Sequence, residues 1–406
     1  MESDNKLFLL DAYALIYRAY YAFIKNPRIN SKGFNTSAIL GFVNTLEEVL
    51  KKENPTHIGV AFDPAGPTFR HEAFEQYKAQ REETPEAIRL SVPIIKEIIR
   101  AYRIPILEVA GYEADDVIGT LATEAGRQGI ITYMMTPDKD YGQLVSDKVF
   151  MYRPKHTGGF EVMGVDEVKA KFDIQSPAQV IDMLGLMGDS SDNIPGCPGV
   201  GEKTAQKLIA EFGSIENLLE HTDQLKGALK TKVETNREMI TFSKFLATIK
   251  IDVPIQLDMD SLVREQADED SLRQIFEELE FRTLIDRVLK KENAGNGITT
   301  PTGNKTAAEK SNLAPLPLFP EEGGAVQGDL FANFTGNEPG EAKNSNLATL
   351  ETLNCDYQLI DTEEKREKII QKLLTSKILS LDTETTGTEP MDAELVGMSF
   401  SIAENE

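Results

Sequence analysis

Apolar and polar residues follow two different spacings in the first part of the chain. Short β-type runs (KLFLLD, THIGVAFD, RIPILEVA and IITYMMTPD) are separated by longer segments whose apolar residues recur at helical spacing. Strands that alternate with helices predict a parallel sheet with helices packed on its faces. We therefore predict an α/β fold for residues 1–180.

The pattern changes after residue 180. Residues 181–290 are mostly helical in pattern, with one Gly- and Pro-rich break at IPGCPGVGEKT. Residues 291–347 are rich in Gly, Asn, Thr, Pro and Ala, which predicts a flexible linker. Residues 348–406 have the order β-α-β-β, in DYQLID, TEEKREKIIQKLLTS, KILSLDTETTG and ELVGMSFSI. These elements are too few to close a core alone, so we expect the chain to be part of a longer protein.

The composition is that of a soluble globular protein, with 40% hydrophobic and 27% charged residues. No apolar run approaches the roughly 18 residues of a membrane helix, and the N-terminus lacks the basic segment of a signal peptide. The two cysteines lie far apart, which argues against a disulfide scaffold and for a reducing compartment. The four histidines are scattered, which argues against a His-based zinc site. We therefore expect a cytoplasmic protein that does not bind membranes.

The chain is strongly acidic, with 43 basic and 66 acidic residues and a net charge of −23. About half of this surplus falls within residues 1–290. An acidic balance argues against nucleic-acid binding, because nucleic-acid-binding proteins usually present basic faces. The position of the acids decides whether that objection holds.

Carboxylates follow the ends of all four predicted strands. In a parallel α/β sheet, ligands bind in the crevice beyond the carboxyl ends of the strands. Any one of these acids has an alternative role as a helix N-cap or turn residue, but the whole set predicts a single acidic cleft. Its members are Asp11, Asp63, Glu113, Asp115, Asp116, Asp138 and Asp140.

Like charges in one cleft repel strongly, because two unit charges 4 Å apart cost about 4 kcal/mol at an effective dielectric near 20. Divalent cations are the natural counter-charge, and oxygen ligands select Mg²⁺ or Mn²⁺ over zinc. Asp189 and Asp192 add two more acids, which share a face if their segment is helical. Nine acids suit two metal ions roughly 3.5–4 Å apart that act in phosphoryl transfer. Nine metal-bound acids would also remove most of the charge objection for residues 1–290.

The segment GCPGVGEKT differs from a nucleotide-binding P-loop, because Glu202 separates Gly201 from Lys203 and no strand precedes it. A hairpin between two helices fits better, since its glycines let backbone N–H groups approach a DNA phosphate. A plain helix–helix turn is the alternative. The candidate DNA contacts are Gly199, Gly201, Lys203 and Thr204, followed by the basic residues Lys207, Lys226, Lys230 and Lys232.

The segment FRHEAFEQYKAQREETPE (69–86) places Arg70, Tyr77, Lys78 and Arg81 close to one helical stripe. Basic residues between aromatic ones hold a single strand by charge and stacking. Lys78 and Arg81 are suited to stabilise the charge that develops on a scissile phosphate. The alternative is an ordinary amphipathic helix with a charged face.

Five segments together resemble the 5′-nuclease (flap endonuclease) domain at the N-terminus of bacterial DNA polymerases I. They are LLDAYALIYRAYYAF, GVAFDPAGPTFRHEAFEQYKAQR, GYEADDVIGTLA, TPDKDYGQLV and GLMGDSSDNIPGCPGVGEKTA. The resemblance spans about residues 5–290. It implies a parallel-sheet, PIN/Rossmann-like core, a helical arch over about residues 69–100 and a C-terminal all-helical helix-hairpin-helix subdomain. It also implies a monomer that cleaves DNA or RNA primers near a 5′ flap or nick with two Mg²⁺ or Mn²⁺ ions.

The resemblance also implies roles for individual residues. One metal site is formed by Asp63, Glu113, Asp115 and Asp116, with Asp11 acting through water. The other is formed by Asp138, Asp140, Asp189 and Asp192. Lys78 and Arg81 lie on the arch through which the 5′ strand threads, and Arg18 and Arg70 contact substrate phosphates. The Gly199–Thr204 hairpin grips duplex DNA and holds a K⁺ ion through backbone carbonyls.

Two further resemblances lie after residue 290. LSLDTETTG resembles the first motif of the 3′–5′ exonuclease (ribonuclease H-like) domain of the same polymerases, which implies that Asp382 and Glu384 are metal ligands. The other acids of that domain would lie beyond Glu406, so we expect proofreading and polymerase activities to be absent. In the linker, Gln327, Leu330 and Phe331 resemble a peptide that docks to the sliding clamp, and a stray apolar pair is the alternative.

Two other functions compete with a 5′ nuclease. A phosphatase with Asp11 as nucleophile favours a second acid two residues later, where this chain has Tyr13. A non-catalytic DNA clamp loader or scaffold has no need of so repulsive a set of acids. The sequence therefore predicts a metal-dependent, structure-specific 5′ nuclease that acts in primer removal and excision repair.

Overall fold

The computed structural model describes residues 5–155, 159–289, 360, 362–376, 379–385 and 395–401. They fall into two compact units, one containing residues 5–289 and the other containing the described residues from 360 onwards. The clamp-docking positions Gln327, Leu330 and Phe331 lie outside the described residues. None of the helices in the described ranges is long and apolar enough to cross a membrane.

A six-stranded sheet forms the centre of the first unit, in the order β3-β2-β1-β4-β5-β6. Five strands are parallel and β6 is antiparallel to β5. The four apolar runs of the sequence correspond to β1 to β4, whereas β5 and β6 have no counterpart among them. The strands are β1 (Lys6–Asp11), β2 (His57–Ala61), β3 (Ile106–Leu107), β4 (Ile131–Met135), β5 (Val149–Pro154) and β6 (Phe160–Met163).

Two hydrophobic cores lie on the two faces of this sheet. Leu7 and Leu9 of β1 belong to one core, and Phe8 and Leu10 belong to the other, because successive residues of a strand point to opposite faces. All four are fully buried, so the strand is apolar without alternation. The helices of this part are α1 (Ala12–Ala22), α2 (Ser37–Lys52), α3 (Phe69–Ala73), α4 (Glu86–Ala101), α5 (Ala114–Arg127) and α6 (Val165–Phe172).

A helical subdomain follows the sheet, as the sequence predicts. Its helices are α7 (Val180–Met187), α8 (Glu202–Phe212), α9 (Ile215–Glu220), α10 (Gly227–Thr235) and α11 (Arg237–Ala247). The last two helices, α12 (Glu269–Glu278) and α13 (Arg282–Val288), also lie within the predicted helical range, but their packing was not predicted. Leu272 and Phe276 of α12 pack in the same core as Phe8, so residues 181–290 are not one separate helical layer.

The arch segment is not one continuous helix. Helix α3 ends at Ala73, and α4 begins only at Glu86. Between them Lys78 has a φ of 57°, and its backbone N–H donates to the carbonyl of Asp192 at 3.0 Å. A left-handed residue interrupts an α-helix, so the predicted helical stripe is wrong.

The segment that carries Asp189 and Asp192 is not helical either. Helix α7 ends at Met187, and Gly188 has a φ of 74°. The backbones of Asp189 and Ile194 then exchange two hydrogen bonds of 2.9 and 2.8 Å. The two aspartates therefore lie on a tight turn and not on a helix face.

The second unit contains α14 (Glu363–Thr375), β7 (Ser380–Thr385) and β8 (Leu395–Ser401). The two strands are antiparallel, and Asp382 pairs with Ser399 while Glu384 pairs with Gly397. These elements agree with the α-β-β part of the predicted order. The DYQLID run lies almost wholly outside the described residues.

Candidate metal centre

The predicted acids meet at the carboxyl edge of the sheet. The chain leaves β1 towards β2 and β3 on one side and returns to β4 on the other, which opens a crevice between β1 and β4. The hydroxyl of Thr136, after β4, donates to Asp11 at 3.2 Å. On the other side, the backbone N–H of Ala114 donates to Asp63 at 2.7 Å. The first bond joins the ends of β1 and β4, and the second joins the end of β2 to the start of α5. Asp63 and Asp138 both act on the pKa of Asp11, so these acids lie in a single cleft.

Asp11 has both of the roles considered from the sequence. It caps α1 by accepting the N–H of Ala14 at 3.1 Å, and it faces the cleft, where Tyr141 donates to it at 3.1 Å. Its side chain is only 9% exposed. Burial and the neighbouring Asp63 raise the pKa of Asp11 from 3.8 to about 7.

Two basic residues of the arch segment bind the acids directly. The ammonium of Lys78 lies 2.8 Å from Glu113 and 3.7 Å from Asp192, and Arg81 forms an ion pair with Asp192. Burial alone would raise the pKa of Asp192, but Lys78 and Arg81 outweigh it and lower that pKa to about 2. Both predicted catalytic cations are therefore placed at the acid cluster, where an anionic phosphate would need them.

Arg70 does not have the position predicted for it. It is 1% exposed, and its two Nη atoms bind the two oxygens of Asp116 at 2.8 Å each. Nη1 also donates to Glu113 at 3.1 Å. A side chain enclosed in this way cannot reach a substrate phosphate, so that prediction for Arg70 is wrong.

The same network changes the interpretation of Asp116. It is fully buried, and its oxygens accept from Arg70 and from the backbone N–H groups of Glu113 and Lys250 at 3.1 and 2.8 Å. No oxygen of Asp116 remains for a metal ion in this arrangement. The structure contradicts its predicted place in the first metal site and gives it the role of anchoring Arg70.

Tyr77 is also buried, at 3% exposure. Its hydroxyl lies 3.0 Å from Glu113 and 3.2 Å from Asp192. The ring therefore has no free face for a nucleotide base, and the stacking role predicted for Tyr77 is wrong. Its hydroxyl instead links the two sides of the cleft.

The acids after β4 form the other half of the cluster. Asp138 accepts the backbone N–H of Asp140 at 3.0 Å, and Asp189 forms an ion pair with Lys139. The Oδ1 atom of Asp140 is buried without a hydrogen-bond partner. Burial and the adjacent Asp138 raise the pKa of Asp140 well above its usual range. This half of the cluster therefore carries more negative charge than Lys139 offsets.

The donor set fits a hard cation. Within the described ranges, no three His, Cys, Asp or Glu side chains are arranged to hold a metal ion. Lys78, Arg81 and Lys139 instead bind acids of both halves. The unpartnered Asp140 oxygen and the raised pKa of Asp115, which burial and Asp116 produce, show that this neutralisation is incomplete. Oxygen donors with uncompensated negative charge are what Mg²⁺ or Mn²⁺ requires.

The hairpin of the helical subdomain leads directly into α8. Gly201 is the N-cap residue of that helix, and Gly199 has a φ of 76°. The ammonium of Lys232 donates to the Gly199 carbonyl at 3.3 Å. A lysine side chain therefore contacts one of the carbonyls to which the resemblance implies that K⁺ binds. Arg18 lies on α1 and donates to the carbonyl of Lys155 at 2.9 Å. The predicted DNA contacts of Arg18, Lys203 and Thr204 stay predictions.

Sequence reasoning missed two residues that hold the cleft together. Lys139 lies between two predicted ligands and binds Asp189. Gln143 donates to the carbonyl of Asp140 at 2.9 Å. Both belong to the TPDKDYGQLV segment. Its acids indicate metal binding by their residue type, whereas the positioning role of an amide or a lysine depends on tertiary contacts that the sequence does not contain.

Family models match most of the first unit. One, described as the N-terminal resolvase-like domain of 5′-3′ exonuclease, matches residues 6–173, and another, the C-terminal SAM fold of 5′-3′ exonuclease, matches residues 175–270. The chain belongs to the 5′–3′ exonuclease family. The predicted α/β core with a helical subdomain is thereby confirmed.

Relatives of this exonuclease include longer proteins. DNA polymerase I of Bacillus caldotenax is 42% identical over 287 residues, which are 70% of this chain and 32% of the relative. DNA polymerase I of Chloroflexus aurantiacus is 35% identical over 400 residues, which are 98% of this chain and 40% of the relative. The chain thus spans about a third to two-fifths of the length of these relatives.

Solved structures share the fold. A structure of T5 5′-exonuclease with bound zinc ions has a TM-score of 0.51 and 21% identity, and the match covers 68% of this chain and 99% of that one. Another, of T5 D15 protein co-crystallised with metal ions, has a TM-score of 0.50 and 22% identity. At this level of identity the likeness concerns the fold of the exonuclease alone.

The raised pKa of Asp11 predicts how the exonuclease responds to pH without divalent ions. Between pH 4 and about 7 the folded state binds more protons than the unfolded state, so stability falls as pH rises. The lowered pKa of Asp192 acts only below this window. We expect urea denaturation in EDTA to give a lower free energy of unfolding at pH 8 than at pH 5. Asp11→Asn should reduce this difference without abolishing it, because the raised pKa values of Asp115 and Asp140 act in the same direction. Greater stability at pH 8 would contradict the prediction.

Proposed function

We propose that the chain is a divalent-metal-dependent 5′ nuclease that cleaves phosphodiester bonds near the junction of a 5′ flap and a duplex. The observation that supports this most directly is the acid cluster at the sheet edge, with its unpartnered Asp140 oxygen, next to Lys78 and Arg81. Mg²⁺ or Mn²⁺ would be held by Asp63, Glu113 and Asp115 on one side and by Asp138, Asp140, Asp189 and Asp192 on the other. When bound, the ions would activate water and stabilise charge on the phosphate and the leaving oxygen.

The chain's own residues perform the remaining tasks. Lys78 and Arg81 bind acids in the free protein and would turn to the non-bridging phosphate oxygens of the substrate, where charge develops. Asp11, which is held by Thr136 and Tyr141, would orient a water molecule at the cleft. The hairpin with Gly199, Gly201, Lys203 and Thr204 would hold the duplex through its phosphates.

Cleavage of a 5′-labelled double-flap DNA tests the proposal. With Mg²⁺ we expect a product cut about one nucleotide from the junction, and EDTA or Asp115→Asn should abolish it. Asp166→Asn is the matched control, because Asp166 is also acidic but its side chain is 94% exposed on α6. Cleavage that survives in EDTA would contradict metal dependence, and flap binding without any cleavage would favour a non-catalytic scaffold.

Lys78→Ala provides a separate test of the arch segment. Loss of a preorganised cation costs on the order of 10² to 10³ in kcat, so we expect flap cleavage to fall by about that factor while duplex binding measured in EDTA changes little. Lys25→Ala, which removes an exposed lysine just after α1, is the control. An unchanged kcat in Lys78→Ala would exclude this role.

We also propose a cellular role and binding partners for the chain. As part of a DNA polymerase I, the nuclease would remove RNA primers and displaced flaps in the bacterial cytoplasm, as a monomer. Gln327, Leu330 and Phe331 would dock to the sliding clamp, and Asp382 and Glu384 would begin a 3′–5′ exonuclease domain. A K⁺ ion at the hairpin would have to share the Gly199 carbonyl with Lys232.

A further inference from the structure

The end of helix α11 is held by side chains from both halves of the acid cluster. We define residues 246–250, where α11 ends, as the junction segment. Arg70 donates to the carbonyls of Leu246 and Thr248 at 2.9 Å each, and Asp116 accepts the N–H of Lys250 at 2.8 Å. Because Arg70 also binds Glu113, these bonds connect the junction segment to the first half of the cluster.

Gln143 makes the equivalent connection to the other half. Its Oε1 accepts the N–H of Ile249 at 2.8 Å, and its Nε2 donates to the carbonyl of Ala247 at 3.0 Å and to that of Asp140 at 2.9 Å. Both amide protons and the amide oxygen are thus in use. One planar side chain therefore sets the distance between the Asp140 backbone and the junction segment.

An earlier turn of α11 contacts the segment that leads into the hairpin. Ser243, which is fully buried, accepts the N–H of Gly196 at 2.9 Å. One turn of chain separates Ser243 from the junction segment. Helix α11 therefore lies between the proposed duplex-binding hairpin and the proposed metal-binding acids, with hydrogen bonds to both.

We propose that Gln143 is a positioning residue that holds Asp138 and Asp140 at a fixed position relative to α11. It thereby also fixes their position relative to a duplex bound at the hairpin. This rests on the proposed nuclease function. A misplacement of about 1 Å in a reacting group can cost 10²-fold in rate. Loss of Gln143 should therefore reduce cleavage most for a substrate whose position is fixed by the hairpin.

Gln143→Met tests the proposal, because methionine has a similar length and no hydrogen-bonding amide. We expect kcat on double-flap DNA to fall about tenfold or more, with duplex affinity measured in EDTA within about twofold of wild type. Cleavage of a short single-stranded oligonucleotide, which does not reach the hairpin, should change much less. Gln128→Met is the control, since its exposed amide bonds only Glu124 on α5.

Ser243→Ala tests the other end of the same connection. If Gln143 and Ser243 act through one helix, the double variant should lose less flap activity than the product of the two single losses. Thermal unfolding shows whether each variant is folded. If Gln143→Met is unfolded, Gln143→Glu serves instead, because it keeps the acceptor for Ile249 and loses both donors.

Each outcome decides the question. A reduced ratio of flap to single-strand cleavage in folded Gln143→Met supports the proposal. An unchanged ratio, whether both rates stay the same or fall together, overturns it, because Gln143 would then act only locally or not at all. Absence of flap cleavage by the wild-type chain contradicts the nuclease function itself, and the positioning role fails with it.

Discussion

Replacing Asp140 with asparagine is expected to abolish flap cleavage and to make the metal-free protein more stable. Asp140 has a buried oxygen without a partner, and burial and Asp138 raise its pKa well above the usual range. The substitution would remove this unfavourable charge, so the free energy of unfolding in EDTA should rise. Loss of this proposed metal ligand should lower kcat at least about a thousandfold.

Paired assays on one protein preparation would measure both effects. Urea denaturation in EDTA at pH 8 gives the change in stability, and single-turnover cleavage of a double-flap DNA gives the change in rate. Asp166→Asn, at the exposed site on α6, should change neither quantity. An Asp140→Asn protein that is less stable than wild type would show that the repulsion inferred from its surroundings is already neutralised by the fold.

Replacing Arg70 with methionine is expected to have the largest effect on stability. Arg70 is buried and binds Asp116 with two hydrogen bonds while also reaching Glu113. Removing one partner of a buried ion pair leaves an uncompensated charge and costs about 3 to 5 kcal/mol. Arg103→Met, which removes an exposed arginine paired with Glu265 at 3.4 Å, should cost less than about 1 kcal/mol.

Asp116→Asn provides the test of mechanism for this network. In the double variant the buried negative charge is also gone, so the combined loss of stability should be clearly smaller than the sum of the two single losses. Urea denaturation of the four proteins gives this coupling. If Arg70→Met is as stable as wild type and instead loses duplex affinity, the predicted contact between Arg70 and the substrate phosphates would be correct.

The sheet could be predicted well because its chemistry is local. Leu7 to Leu10 are buried on both faces of β1, so a continuous apolar run ending at Asp11 identifies the strand and its carboxyl end together. The apolar run of β5 is only four residues long and ends at Arg153, and β6 is a short edge strand. The inclusion of α12 in the core that contains Phe8 depends on the tertiary fold and leaves no local signal.

The candidate site also has some features that the sequence predicts and others that depend on tertiary packing. The type and general position of the acids follow from the sequence, because ligands bind beyond the carboxyl ends of parallel strands and carboxylates follow four of these ends. Which acid is free and which is bound does not follow. Arg70 and Lys78 both occur in a basic, aromatic segment. Arg70 is nevertheless enclosed with Asp116, whereas Lys78, whose backbone is left-handed, binds Glu113 in the cleft. That difference arises from the packing of α11 and the Asp189–Asp192 turn against the segment.

The packing of α12 and α13 in the core that contains Phe8 has a consequence for biosynthesis. Phe276 and Leu284 belong to the same hydrophobic core as Phe8 but leave the ribosome about 270 residues later. At roughly 5–20 residues per second, the first strand waits about 15 to 50 seconds for the helices that complete its core. During that time the core on this face of the sheet lacks its last two helices. The first unit should therefore acquire its final structure only after residue 289 has left the ribosome.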